Sequence, residues 1–566
     1  MQLPSIHPGL HKNSVRIIPL GGTGNVTKNM FVYEFRRGDQ ISDIIIVDCG
    51  IGFPDEAMLG IDLLIPDSTY LEDKKDKIRA FVLTHGHEDH ISALPYIWPK
   101  FKAPAYATKL TAALAENKLL DFGINTKINV VDTSTVLRFG AFTVEFVHVT
   151  HSVPDSTNLI IKTPVGNFYH GSDFKFDWTP LDNLPTEAGK IAIAGNQGIL
   201  CLLSDCVRVE NKGSTLSERV IEDTIEKELR NCFGKFIFTT QSSNISRIQQ
   251  AINVAIRNNR KICFLGRSVE KNVEVSRKLN YLSFPDMYVV KDKEMQKYPP
   301  QELFLIAAGS QGQIGSALSR IANNDHKFVT VKPKDVVVFS SDPIPGNENS
   351  VNSLIDTLTA AGARVAYSGI LDQLHVSGHG SADDLSLMLA LTHPKFVFPI
   401  GGTIRQIKHY STLAQDMGYK ENQILIPGDG DILEFNQDHQ YKNGGNIELK
   451  NIMVDGLGVG DVGNVVLRDR QTMASDGIVV VVVPIEQSTG VVTAEPDIIS
   501  RGFVYMKKSG HLIDEAKKVV TNSLRLKKGR ITDWQFVRKQ IENNLEVFLY
   551  KETRRRPLIL SVVIEV

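Results

Sequence analysis

The run His85-Gly86-His87-Glu88-Asp89-His90 puts four candidate metal ligands within six residues, directly behind the apolar stretch Ala80-Phe81-Val82-Leu83-Thr84. A short apolar run rich in aromatic and β-branched residues reads as a buried strand, so the donors stand at a strand end. In extended chain, residues i and i+2 share a side. His85 and His87 can therefore face one ion, while Asp89 and His90, opening the next helix, turn to a second ion nearby. A lone histidine is usually a satisfied core or surface residue. Four donors at this spacing point instead to a two-ion hydrolytic site.

Two later strand ends supply more donors. His151 follows the strand Phe142 to Val149, and Asp173 closes His170-Gly171-Ser172-Asp173 just past Asn167-Phe168-Tyr169. A carboxylate such as Asp173 can bridge two cations, and His151 would complete the shell of the first. Water between paired cations loses a proton near neutral pH and becomes a nucleophile. Asp48, at the end of Ile44-Ile45-Ile46-Val47, is placed to steady the ligands from behind.

The rest of the composition narrows the setting. At 566 residues the chain exceeds a single core, and two or three domains are expected. A net charge of −1 means that a nucleic acid must be held by a local basic groove. Five cysteines without a CxxC pair suggest reduced thiols and a cytoplasmic protein. Met1 to Lys12 has no signal-peptide core, and the longest apolar run, Ile478 to Pro484, is too short to span a membrane.

Along the chain, short strands and glycine turns fill the first ~200 residues, as in stacked sheets with helices outside. From about Ser214 amphipathic helices (Arg219 to Cys232, Ser246 to Asn258, Val269 to Leu279) alternate with the buried strands Lys235 to Phe238, Lys261 to Phe264 and Val336 to Phe339. That rhythm predicts a parallel, doubly wound sheet. A third unit from near Lys450 combines a strand at Ile478 to Pro484, helices at Leu512 to Leu526 and Asp533 to Leu549, and a final strand Leu558 to Val566.

The metal motifs resemble those of the metallo-β-lactamase fold, and further motifs resemble one family, ribonuclease J. They are Pro19-Leu20-Gly21-Gly22 with Lys28-Asn29-Met30, Leu94-Pro95-Tyr96 after the histidine cluster, Asp173-Phe174-Lys175-Phe176-Asp177, Ser204-Asp205, Ser243-Asn244-Ile245 and Gly266-Arg267-Ser268. Gly309-Ser310-Gln311-Gly312, Pro343-Ile344-Pro345-Gly346-Asn347, His375-Val376-Ser377-Gly378-His379 and Asp455 to Gly463 follow in the family's order, so the match runs over essentially the whole chain.

The resemblance implies an α/β protein. Residues 1–208 and 368–448 would form a metallo-β-lactamase αββα sandwich, 209–367 an inserted β-CASP domain with a doubly wound parallel sheet, and 449–566 a small α+β oligomerisation domain. It implies hydrolysis of RNA as a 5′-to-3′ exonuclease, with endonuclease activity besides, on single-stranded 5′-monophosphorylated RNA, by a homodimer or homotetramer. Two divalent ions are implied, Zn²⁺ at the first site. Asp89, Asp205 and His379 take catalytic roles, with His379 touching the scissile phosphate and helping to protonate the leaving oxygen. His375, Ser377, Gly309, Ser310, Gln311 and Gly312 become nucleotide and 5′-phosphate contacts.

The chain departs from the family at Pro399-Ile400-Gly401-Gly402-Thr403, where a Pro-x-His-Gly-Glu stretch is usual. Gly401 stands where the last histidine of the second ion is expected, and Ser246 stands where a histidine often follows Ser-Asn-Ile. The expectation is retained activity with a weaker second ion, water filling the gap, and a preference there for Mn²⁺ or Mg²⁺. Thr403 and His409 are the candidate substitutes, His409 being expected on the outer face of a helix. Arg267 and Lys175, with Arg247 behind them, are candidate phosphate partners; Arg525 to Arg530 and Arg554 to Arg556 read as solvated or intersubunit charge. Two rival readings stand: a DNA-processing nuclease of the same fold, and a degenerate homologue that binds RNA without cutting it.

Overall fold

Strand Phe142–His148 alternates buried and half-buried residues, as one half of a layered core requires. Its sheet has six strands, in the order Phe396–Ile400, Ile199–Asp205, Gly166–His170, Thr157–Thr163, Phe142–His148, Val136–Phe139. A mixed eight-stranded sheet that includes Asn13–Gly21, Met30–Arg37, Gln40–Val47 and Ile78–Val82 faces it. Val15, Phe31, Tyr33, Ile45 and Val82 of one sheet meet Phe146, Leu159, Phe168, Leu203 and Phe398 of the other in one buried cluster. Helices Ala188–Asn196, Ala382–Thr392 and Ile404–Asp416 cover the outer face of the six-stranded sheet through Ile191, Leu385, Leu389, Ile407 and Tyr410. This is the expected αββα sandwich. This computed structural model describes residues 13–344, 346–371, 373–486, 492–503, 510–525 and 534–565.

Between Ile199–Asp205 and Phe396–Ile400 the chain builds a separate five-stranded sheet, ordered Lys261–Leu265, Leu303–Ala307, Phe236–Thr239, Val336–Phe339, Arg364–Ala366, and parallel throughout. Helices Ala317–Ala322 and Glu348–Ala360 pack on the side of Ile237 and Val337. Phe236, Phe238 and Phe304 stack on the alternate side. The predicted helices appear as Val220–Arg230, Ile245–Arg257 and Arg267–Lys278.

The chain forms two compact units. One holds the described residues up to Phe53 with Leu64–Ile452; the other joins Pro54–Leu63 to the chain from Met453 onward. In the second unit, strands Asp497–Arg501, Ile478–Ile485 and Leu558–Glu565 form a sheet whose inner face meets helices Gly510–Arg525 and Trp534–Thr553 through Val481, Val483, Ala516, Val520, Ile541 and Leu545. The outer face carries exposed Ile499, Leu560, Val562 and Ile564. Of the basic runs, 526–530 lies outside the described residues; Arg556 sits over the Tyr550 ring and Arg555 donates to the Phe503 carbonyl. Among the described residues no helix is long and apolar enough to cross a membrane.

Candidate metal centre

The strand Ile78–Val82 ends two residues before the apolar run does. Thr84 leaves the ladder because its N–H and hydroxyl both donate to the Asp48 carboxylate, each at 2.8 Å. His85 then begins a loop whose backbone is latched to the segment after Gln40–Val47, with Cys49 N–H donating to the His90 carbonyl and Asn29 N–H to that of Asp89. Helix Glu88–Ile91 starts on His87.

The imidazoles converge. His87 Nδ1 lies 3.1 Å from His85 Nε2 and 3.0 Å from His151 Nε2. One oxygen, Asp173 Oδ2, stands 3.5 Å from His85 Nε2, 3.4 Å from His90 Nε2 and 3.7 Å from His151 Nε2. Asp89 Oδ2 is 3.7 Å from His90 Nε2. Donors around one cation at about 2.1 Å stand roughly 3.0–3.4 Å apart, so the spacing is that of ligand shells. The donors form two groups sharing Asp173: His85, His87, His151 and Asp173, and then Asp89, His90 and Asp173.

The far nitrogens of these rings fix what the near ones present. His151 Nδ1 lies 2.7 Å from the Gly378 carbonyl and His90 Nδ1 2.7 Å from Asp48 Oδ2. Both partners only accept, so each Nδ1 carries a hydrogen, and the Nε2 of the neutral His151 ring carries a lone pair. Thr84 has already given its one proton to Asp48, so its hydroxyl, 3.1 Å from His85 Nδ1, accepts there. Ser152 Oγ, 3.0 Å from His87 Nε2, is placed to do the same for that ring. Three lone pairs thus face a carboxylate in buried surroundings, an arrangement that positive charge relieves. Gly378 is glycine of necessity, since a Cβ there would meet the His151 ring at 2.7 Å.

The electrostatics set His90 apart from the other three rings. Burial keeps His85 and His87 well below the ordinary imidazole range and His151 down to about 3. Burial pulls His90 down too, but Asp173, Asp48 and Asp89 outweigh it and raise it well above. Asp173 is held well below the carboxylate range: burial would raise it, and His90 and His379 overcome that. Burial, with Asp173 nearby, pushes Asp89 up to about 6 against the pull of His90.

His379 stands on the rim. Its Nδ1 is 2.7 Å from Asp205 Oδ2, and its ring packs edge-on against His151 at 5.1 Å between centroids. Burial works against its charge, yet Asp205 and Asp173 raise it to about 9. A cavity of about 820 Å³ opens here, lined by His87, Asp89, Asp173 and His379 on one side and by Arg267, Ser310 and His375 on the other.

The relatives are full-length. The chain is 39% identical over 556 residues to "Ribonuclease J2" of Bacillus subtilis, covering 98% of this chain and 99% of that one. The chain belongs to the ribonuclease J family. It is also 39% identical to "Ribonuclease J 1" of Streptococcus pyogenes and 33% to "Ribonuclease J 2" of Staphylococcus aureus, with 98% of each chain covered in both cases. Family models match for the metallo-β-lactamase superfamily at 29–190, the ribonuclease J β-CASP domain at 233–358 and the ribonuclease J C-terminal domain at 465–566. A solved Enterococcus faecalis protein of unknown function shares the fold, with a TM-score of 0.54 at 14% identity over 75% of this chain and 100% of that one. This is a ribonuclease J-like, metal-dependent nuclease.

The other expected ribonuclease J positions divide. Gly309, Ser310, Gln311, His375 and Ser377 line the cavity; Gly312 does not, being a turn at φ +72° packed on the Ser350 backbone. The Gln311 amide is committed to the neighbouring loop, donating to the Asp342 carbonyl and accepting from Ile344 N–H. Lys175 is no phosphate partner. Its ammonium is buried beside Asp177 and Glu218, and donates to the Leu216 carbonyl. Arg247 is also buried, paired with Glu218 and donating to the Ser340 and Val376 carbonyls, while Arg267 stays exposed on the cavity wall. Lys175 sits at the centre of the aromatic-acidic motif Asp173 to Asp177, and its sequence gives no sign that Glu218 will close over it.

Neither proposed substitute for the missing histidine reaches the metal centre. Thr403 caps helix Ile404–Asp416, its hydroxyl exchanging bonds with Gln406. His409 faces outward, 3.5 Å from Glu210. Gly401 does lie beside the site: a Cβ there would meet nothing nearer than Asp173 Oδ1, at 4.0 Å. Ser246 lines a different, small cavity near His148. Sequence reasoning missed Ser152 and Asn29, whose amide Nδ2 stands 3.1 Å from His90 Nε2.

Proposed function

We propose that this chain degrades single-stranded, 5′-monophosphorylated RNA from the 5′ end, with endonucleolytic cuts as a second mode, in a cytoplasmic homodimer or homotetramer. The observation that carries the reading is the pair of donor groups sharing Asp173 at the floor of a cavity whose far wall holds Arg267, Ser310 and His375. Residues 1–208 with 368–448 would supply the catalytic domain, 209–367 the β-CASP wall and 449–566 the association domain.

His85, His87, His151 and Asp173 would hold a first cation, with Zn²⁺ suited to the three imidazoles; Asp89, His90 and Asp173 would hold a second, weaker one suited to Mn²⁺ or Mg²⁺. Bound divalent ions supply Lewis-acid stabilisation and an acidic water at such sites. The chain's own residues do the rest. Asp48 and the Gly378 carbonyl orient His90 and His151. Asp205 fixes the His379 ring through Nδ1, leaving Nε2–H free to bond a phosphate oxygen and give its proton to the leaving 3′ oxygen. Arg267 would bind the strand through phosphate contact. Five free, buried cysteines suit a reducing compartment, and the exposed apolar sheet face at Ile499, Leu560, Val562 and Ile564 suits self-association.

The test compares 5′-monophosphorylated RNA with matched single-stranded DNA in Mg²⁺, Mn²⁺ and Zn²⁺. Mononucleotide release from RNA is expected. Cleavage of DNA alone would favour the DNA-nuclease reading, and no cleavage in any metal would favour a binding-only homologue. Light scattering should give a multiple of the chain mass, reduced by Val562→Asp; an unchanged monomeric mass in both proteins refutes the assembly.

A further inference from the structure

We propose that the carboxamide of Asn29 is a ligand of the second cation, taking over the coordination that Gly401 cannot give. This rests on the reading that a second ion binds beside Asp89 and His90. The amide is already in the shell: Asn29 Nδ2 lies 3.1 Å from His90 Nε2 and 3.5 Å from Asp89 Oδ2, as near as the 3.4 and 3.7 Å at which His90 Nε2 stands from Asp173 and Asp89. Four side chains, from Asn29, Asp89, His90 and Asp173, thus point their polar atoms at one spot.

The amide's other bonds hold it only weakly, so cation binding can offset their loss on turning. Its Nδ2 donates to the Val26 carbonyl at 3.3 Å, a long bond, and among the described residues Oδ1 accepts none. Oxygen and nitrogen exchange places on rotation about the terminal bond with almost no change of shape. With Oδ1 turned inward, Asn29 offers a neutral oxygen, the donor that hard cations such as Mn²⁺ and Mg²⁺ accept alongside carboxylates and water. The backbone holds it there. Asn29 N–H donates to the Asp89 carbonyl, Gly50 N–H donates to the Asn29 carbonyl, and the residue is buried. The vacancy is local as well: Gly401 N–H bonds the Gly22 carbonyl, and Gly22 lies directly against Asn29 Oδ1. Asn29 and Gly401 therefore flank the same corner of the site.

A protein shell of only Asp89, His90 and Asp173 would leave half of a six-coordinate sphere to water; the added amide oxygen would make four protein ligands. An amide oxygen is a weaker donor than an imidazole nitrogen, so this site stays weaker and more exchangeable than one closed by imidazole.

The experiment is Mn²⁺ binding to the full chain. Metal content is counted after equilibration with Mn²⁺, and the ion is located by anomalous scattering at the manganese edge. Wild type is expected to hold an ion beside Asp89 and His90 with Asn29 Oδ1 at about 2.1–2.4 Å. Asn29→Ala should weaken that ion alone by about tenfold or more, and Asn29→Asp should retain or tighten it. An ion at the second site with the Asn29 amide beyond 3 Å, or unchanged Mn²⁺ affinity in folded Asn29→Ala, overturns the proposal while leaving the second site standing. No ion beside His90 in wild type overturns both. Should Asn29→Ala fail to fold, the anomalous map of wild type decides alone.

Discussion

Replacing Asp48 by Asn tests how far the metal centre depends on a residue that contacts no cation. Asp48 is buried at φ +60° and accepts three hydrogen bonds, from Thr84 N–H at 2.8 Å, Thr84 Oγ1 at 2.8 Å and His90 Nδ1 at 2.7 Å. Asparagine tolerates the left-handed backbone, so the fold should survive and the change isolates charge and acceptor capacity. One amide oxygen cannot serve all three donors; with it on Thr84, the amide NH₂ faces His90 Nδ1. That ring then turns its hydrogen to Nε2, into the site. Loss of such an outer partner costs about 10–100-fold in metal affinity, or about 1.4–2.8 kcal/mol. Calorimetric titration with Mn²⁺, after the first site is filled with Zn²⁺, should show that loss at the second site, with Zn²⁺ affinity changed far less. Asp48→Ala adds a strained left-handed alanine and an orphaned Thr84 N–H, a further cost of about 1–3 kcal/mol in unfolding free energy. If Asp48→Asn binds both ions as wild type does, the tautomer argument for His90 is wrong.

Glu218→Ala should cost about 3–5 kcal/mol in urea unfolding, because it strands the buried cations of Arg247 and Lys175; Glu218→Gln, which keeps a hydrogen-bond acceptor, should cost less. Arg267→Ala should weaken RNA binding evenly across sequences and flatten the salt dependence by about 0.7 in log–log slope, measured by fluorescence anisotropy from low to moderate salt. Thr403→Ala should lower stability by about 1 kcal/mol through loss of the helix cap and leave metal content untouched; a fall in bound metal would make Thr403 a ligand after all.

The legible parts of this protein were those where one local pattern decides the outcome. The strand ends bearing His85, His151 and Asp173 showed in the chain because short apolar runs stop at glycine and polar residues, and those donors do meet. The parallel sheet of residues 236–366 showed through strands and helices alternating at short intervals. Lys175 and Arg247 misled for the opposite reason. A basic residue beside a motif reads as exposed until Glu218, 43 and 29 positions away, is known to cover both. Gly312 looked like its neighbours in a glycine-rich loop, but its φ and the Ser350 backbone are tertiary facts. Asn29 stands inside the run Lys28-Asn29-Met30 with nothing local to mark it, because its aim at His90 depends on two backbone bonds to distant loops.

The carbonyl that orders His151 belongs to Gly378, 227 residues further along the chain. At about 5–20 residues per second of synthesis, a nascent chain carries His85, His87 and His151 for roughly 11–45 seconds before that acceptor is made. Throughout that interval His379 is also missing, so neither the acceptor that orders His151 nor the ring that packs against it exists yet. The first donor group therefore reaches its final order only after the whole inserted parallel-sheet segment has been made.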